Sequence, residues 1–258
     1  MDTIVLKFGG ASVATPAHFT QIADIILQRS REARIVVVVS AMQGATDQLL
    51  ALAKEVHPSP PLREQDMLVS VGERISISLL AMALHLKGKE AISFTGSQSG
   101  IITTSTHSDA LIIDVKPHRI LRALDQNKIV IVAGFQGVSQ QGEITTLGRG
   151  GSDTTAVALA IALKASKVEF YKDVRGIYSA DPKSDPQATL YPVLSFKEAL
   201  SILDRGAKVL HSRCVRLASK NDLPLHVRSF YDPLLETHVG TMIGSGCLRR
   251  DSFVFEEA

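Results

Sequence analysis

GRGGSDTTAVALAIALKASKVEFYKD, residues 148–173, passes from a glycine turn through an alanine-rich apolar segment into a run of β-branched and aromatic residues. That order predicts a turn, a helix over 152–164 and a buried strand at KVEFYKD, the repeating unit of a sheet covered by helices on both faces. Working outward, five further runs have strand character: TIVLKF at 3–8, RIVVVVS at 34–40, EAISF at 90–94, KIVIVAGF at 128–135 and LPLHVRSF at 223–230. Between them, longer amphipathic or alanine-rich segments predict helices at 16–33, 46–56, 63–86, 117–126, 195–203 and 208–220. HPSPP at 57–61 is a loop, and the glycine-bearing alternating segments at 96–115 and 137–147 read as hairpins that overhang a site. The pattern is α/β with a largely parallel sheet. No internal repeat, low-complexity tract or flexible linker divides the chain, so one continuous sheet with two functional halves meeting near residue 150 is expected.

The totals narrow the function. At 258 residues and 45% hydrophobic content the chain can bury one large core. A formal charge of +2, from 28 basic and 26 acidic side chains, gives no field that selects nucleic acid or a membrane surface as partner. Cys214 and Cys247 have neither disulfide-framework nor zinc spacing, which suits a reducing cytoplasm. The first ten residues, MDTIVLKFGG, lack a secretory core, and no segment reads as the roughly 18 apolar residues of a membrane span.

Three glycine turns follow three strands: KFGGAS at 7–12, SAMQGATD at 40–47 and GRGGSDTT at 148–155. A helix starting at Ser152 or Asp153 exposes unpaired backbone N–H groups, and Gly148, Gly150 and Gly151 let an anion reach them. Ser152 or Asp153 can also serve as a plain helix cap. KFGGAS has neither P-loop nor GxGxxG spacing, but in open α/β sheets ligands bind beyond the carboxyl ends of strands, so three such turns point to one crevice. YKDVRGIYSADPK at 171–183 carries Asp173, Tyr178, Asp181 and Lys183, a mixture suited to a purine, a ribose and a phosphate, or to an ordinary surface loop. GAKVLH at 206–211 places Lys208 in the first turn of the helix expected at 208–220, where a cation is unfavourable unless an anion lies nearby. Glu73 is embedded in the apolar LVSVGERISISLLAMAL, where a carboxylate needs a partner: Arg74 or solvent, or Arg149 or a substrate ammonium group. The histidines, His107 and His211 among them, read as surface or polar-core residues.

Taken in order, KFGGAS, VVVVSAMQGATDQL, VGERISISLLA, GRGGSDTTAVALA, KDVRGIYSADPK and GAKVLHSR resemble the catalytic domain of aspartokinases, within the amino-acid kinase superfamily, over nearly all of residues 1–245. The resemblance implies a three-layer α/β/α sandwich, with about 1–150 holding the amino acid and about 151–258 holding ATP. It implies transfer of the γ-phosphoryl group of ATP, with Mg²⁺, to the β-carboxylate of L-aspartate, the entry step to lysine, threonine and methionine, in a cytoplasmic homodimer. By position, Lys7 matches the lysine that contacts the transferred phosphate, and Gly9, Gly10 and Ser12 match the phosphate loop. Ser40, Thr46, Glu73 and Arg149 match aspartate-binding positions, with Arg149 gripping the α-carboxylate. Asp153 matches the acid that orders the catalytic lysines, while Lys172, Asp173, Tyr178, Asp181, Lys183 and Lys208, with the amides of Gly150, Gly151 and Ser152, match nucleotide-side positions, Lys208 also acting in catalysis. No protein metal ligand is implied.

The acceptor is already ionised at neutral pH, so no general base is needed; the chemistry needs relief of repulsion between two anions. Ala11 and Lys172 stand where threonine is common in that family and Ser212 where proline is common, and none of these removes a charge that the mechanism needs. Aspartokinases commonly continue into paired ACT regulatory domains; this sequence stops at Ala258, so neither ACT domains nor lysine or threonine feedback is expected. The competing readings are a glutamate or N-acetylglutamate kinase and a silent nucleotide-binding sensor.

Overall fold

The computed structural model describes residues 1–182, 184–231, 240–244 and 253–256. Its strands are β1 (Thr3–Phe8), β2 (Arg34–Val39), β3 (Ala91–Phe94), β4 (Ile101–Thr103), β5 (Ile112–Val115), β6 (Ile129–Ala133), β7 (Gln136–Ser139), β8 (Ile144–Thr146), β9 (Lys167–Lys172), β10 (Val193–Leu194), β11 (Leu225–Ser229) and β12 (Thr241–Ile243). Its helices are α1 (Pro16–Arg29), α2 (Ala45–Val56), α3 (Leu62–Val69), α4 (Val71–Leu86), α5 (His118–Asp125), α6 (Gly151–Ala162), α7 (Phe196–Asp204) and α8 (Ser212–Lys220), with a 3-10 turn at Gly10–Val13.

Period-two alternation builds three layers around an eight-stranded sheet of order β10-β12-β11-β9-β1-β2-β6-β3. Ile4, Leu6 and Phe8 of β1, with Val37 and Val39 of β2, pack against α1 and α4, while Val5, Val36 and Val38 face α6. Burial on both faces explains the near-continuous valine and isoleucine runs. The first half of the chain supplies β3, β6, β2 and β1, and the second half supplies the other four strands.

Several expectations change in detail. The helix expected over 63–86 divides at Ser70, which stays helical in φ and ψ while ending α3 and starting α4. Residues 208–211 are not helical: α8 starts at Ser212, with the His211 ring accepting from the Arg213 N–H as its cap. The short strands β10, at the sheet edge, and β12, beside it, carry too little pattern to be seen in sequence, and β12 runs antiparallel to β11. The two hairpins pair with each other, β4 with β7, into one four-stranded sheet of order β5-β4-β7-β8. Gly137 permits this closeness, since a Cβ there would lie 2.5 Å from Thr103 Cγ2. The run Leu62–Leu86 is, by length and composition, apolar enough to cross a bilayer, contrary to the sequence reading; 44% of its most apolar window is buried inside the protein. It packs against α1, β3 and β6 and carries two buried carboxylates, Asp66 and Glu73.

Candidate active site

Lys7 is the penultimate residue of β1 and shares its face with Val5; Lys172 ends the neighbouring β9 and shares its face with Val168 and Phe170. Because β1 and β9 are parallel and in register at Lys7 and Phe170, alternation brings both lysines to one end of the sheet on the side covered by α6. There Asp153, in the first turn of α6, accepts from Lys7 Nζ at 2.5 Å and from Lys172 Nζ at 3.1 Å. The carboxylate is 6% exposed and Lys7 4%. Burial opposes the charge of Asp153, but the two ammonium groups outweigh it and hold the carboxyl down at about 2. Burial dominates for Lys7 and lowers its pKa, partly offset by Asp153.

Asp153 therefore does not cap α6, and neither does Ser152: the N-cap is Gly150, in the left-handed region at φ +73° without a side-chain cap bond. A Cβ on Gly150 would lie 2.3 Å from Cγ of His211, so the glycine admits both the backbone turn and the His211 ring. The early amides of α6 consequently open toward the cleft rather than onto a capping side chain.

A cavity of about 660 Å³ lies beyond the ends of β1, β2 and β6. Lys7, Gly10, Ser40, Thr46, Glu73 and Arg149 line it together with Gly150, Gly151, Ser152 and Asp153, so three glycine turns do share one crevice. Glu73 is 3% exposed. Its Oε1 accepts from the Ala41 N–H at 3.0 Å, and its Oε2, though buried, has no hydrogen-bond partner. Burial raises its pKa to about 7, against the opposing pull of the Ala41 N–H and Lys7. Neither Arg74 nor Arg149 pairs with Glu73 among the described residues, which corrects both protein partners considered from the sequence and leaves one carboxylate oxygen for a ligand. Arg149 is exposed on the cavity wall.

A second cavity, of about 380 Å³, adjoins the first through Gly150 and Asp153 and is lined also by Lys208, His211 and Ser212. Lys208 reaches it from the loop before α8, so the anomaly of a cation in a first helical turn disappears. Ser12 lies outside both cavities: its hydroxyl donates to the Tyr171 carbonyl at 3.2 Å and ties the 3-10 turn to β9. Gly9 lines neither cavity, but a Cβ there would stand 3.4 Å from Lys7 Nζ. Asp173, Tyr178 and Asp181 lie in the connection leaving β9 and line neither cavity; Tyr178 bridges to Leu190. Lys183 lies outside the described residues.

Two residues escaped the sequence reading. Asp66, fully buried, accepts hydrogen bonds from His107, Ser108 and Thr146. Its local sequence, LREQDMLV, is polar and did not mark it as buried. Arg213 donates to the carbonyls of Leu147 and Ala110, both at 2.6 Å, and pairs with Glu256, fastening α8 to the loop that carries Arg149. Nothing local marks Arg213 among its basic neighbours.

The sheet with its glycine turns forms an α/β sandwich that gathers the ammonium groups of Lys7 and Lys172 on Asp153 at its strand ends. Residues 2–229 match the model of the amino acid kinase family, and the chain belongs to that family. It is 53% identical over 233 residues to the aspartokinase of Mycolicibacterium smegmatis, which covers 90% of this chain and 55% of that protein. The crystal structure of aspartate kinase from Synechocystis superposes with a TM-score of 0.86 at 42% identity, covering 99% of this chain and 42% of that one. E. coli aspartokinase III, in complex with aspartate and ADP, gives a TM-score of 0.85 at 30% identity over 96% of this chain and 65% of that one. The chain thus spans about half the length of the curated relatives it matches.

Proposed function

We propose that this chain carries an aspartate kinase activity, moving the γ-phosphoryl group of ATP to the β-carboxylate of L-aspartate to give 4-phospho-L-aspartate, the first step toward lysine, threonine and methionine. The observation that carries the reading is the buried Asp153 at the junction of two cavities, shared by the buried Lys7 ammonium and the partly exposed Lys172 ammonium, with a carboxylate oxygen of Glu73 without a partner in the larger cavity. An amino-acid acceptor offers the ammonium that Glu73 lacks, and Arg149 offers a planar fork for its α-carboxylate. Lys7 and Lys172 then face the phosphoryl group as it moves, and Lys208 and the amides of Gly150 and Gly151 face the phosphates of the donor. From the sequence, catalysis falls to Lys7, Asp153 and Lys208; this proposal adds Lys172 because its ammonium shares Asp153 with Lys7. The acceptor attacks as a carboxylate, so no side chain has to remove a proton.

Mg²⁺ bound to ATP supplies charge neutralisation on the phosphates. The described residues contain no group of three His, Cys, Asp or Glu that could hold a metal ion, and Asp153 is already shared by two lysines. A cytoplasmic homodimer belongs to the same reading. It is supported by a stripe of exposed apolar side chains on one face of α4, Val71, Ile75, Met82 and Leu86, and sedimentation equilibrium tests it.

Incubation with ATP, Mg²⁺ and hydroxylamine plus aspartate, glutamate or N-acetylglutamate decides among the chemistries. Hydroxamate from aspartate is expected. Hydroxamate from another acid alone, or ATP binding without any hydroxamate, would replace the proposal with a different amino-acid kinase or with a nucleotide sensor.

A further inference from the structure

Two walls of the larger cavity come from distant parts of the chain. One is helical, with Gln65, Val69 and Glu73 spaced four residues apart across α3 and α4; the other is built from Ser108 and from residues 146–151, including Arg149. The carboxylate of Asp66, in α3 behind the helical wall, is where they are joined. Its Oδ1 accepts from Thr146 Oγ1 at 2.6 Å and from Ser108 N at 3.2 Å; its Oδ2 accepts from Thr146 N and Ser108 N, both at 3.1 Å, and from His107 Nδ1 at 2.8 Å. Ser108 is a non-glycine residue at φ +68°, a conformation that persists where its surroundings hold it.

An acid at a fully buried position is unfavourable unless every lone pair is used, and an apolar side chain would fill the space with less desolvation. What the acid does that an apolar residue cannot is fix, by these four donors and Ser108 Oγ at 3.4 Å from Oδ1, how far the wall carrying Arg149 stands from the wall carrying Glu73. We infer that Asp66 is a positioning residue that sets the separation of Glu73 and Arg149, and so the grip on the ammonium and α-carboxylate of the acceptor. This inference rests on the aspartate kinase reading. Asp66 touches neither cavity, so it acts through Ser108 and Thr146.

Asp66→Asn tests it. Either orientation of the amide turns an NH₂ group toward a backbone N–H, since Ser108 N reaches both oxygens and Thr146 N reaches Oδ2. The whole chain is assayed by hydroxamate formation with aspartate and with glutamate, alongside its melting temperature. We expect the aspartate KM to rise about tenfold or more, the scale of a misplacement of an ångström or less, with the ATP KM within about twofold. Glutamate, which presents the same ammonium and α-carboxylate, should weaken in parallel. Thr146→Val, which keeps shape and removes one donor, should move the same quantities in the same direction by less, and it serves if Asp66→Asn does not fold. An unchanged aspartate KM in both variants, with only melting affected, overturns the inference while leaving the kinase reading intact. Wild-type protein that makes no hydroxamate from aspartate overturns both.

Discussion

Replacing Glu73 by glutamine should make the ligand-free protein more stable at alkaline pH while weakening acceptor binding. Burial raises this carboxyl from its ordinary 4.5 to about 7, so the folded protein binds the proton more tightly than the unfolded chain does. The stability contributed by that proton is fully present below pH 4.5 and is lost as pH rises through about 7. At about 1.4 kcal/mol per pH unit the complete loss is about 3 kcal/mol, of which about 2 kcal/mol falls between pH 5 and pH 8. A glutamine keeps an oxygen for the Ala41 N–H and never ionises. Urea unfolding of both proteins without ligands should therefore show glutamine about 2 kcal/mol better, relative to wild type, at pH 8 than at pH 5. The functional half has the opposite sign. Pairing with a substrate ammonium requires Glu73 ionised, so the wild-type KM for the acceptor should fall as pH rises from 6 to 8, and in Glu73→Gln it should be high and flat over that range. If wild type and variant share one dependence of stability on pH, Glu73 ionises normally in the folded state and the argument is refuted.

The pair on Asp153 separates charge from fold. Asp153→Asn strands the buried Lys7 ammonium and should cost about 3–5 kcal/mol as well as activity, whereas Lys7→Met removes the stranded charge and should abolish turnover with most of the melting temperature kept. Equal thermal losses in the two variants, read by calorimetry, would contradict this. Gly150→Ala combines a left-handed residue with a Cβ placed against His211 and should destabilise by about 2 kcal/mol, raising the ATP KM more than the acceptor KM. A melting temperature within a degree of wild type would show that the turn does not require glycine.

Much of the site was legible because it obeys local rules. A strand ending in KFGG, a strand ending in SAMQG and a helix opening with GGSD each announce a bare backbone at a strand or helix end. Glu73 announced itself as an acid in an apolar helix, whereas Asp66, in the polar segment LREQDMLV, is buried only by tertiary packing. The loop bearing Lys208 was misread as helix because GAKVLHSR has helical composition, yet the chain turns at Gly206, at φ +105°, and restarts only after His211 caps α8. Ser12 was assigned by motif position, but its hydroxyl is taken by the Tyr171 carbonyl 159 residues away.

The sequence by itself determined the alternation of strands and helices, the buried sheet and the types of residue available at each strand end, since periodicity and glycine placement act within a few residues. Which charges meet was decided only by tertiary structure. Lys7 and Lys172 are 165 positions apart, and neither segment records that β9 lies beside β1 in parallel register with both lysines on the face beneath α6. The partners of Glu73 likewise followed from the cavity around it. Burial and pairing are properties of the assembled layers, and they set the energy of a charge far more strongly than the residues next to it in the chain.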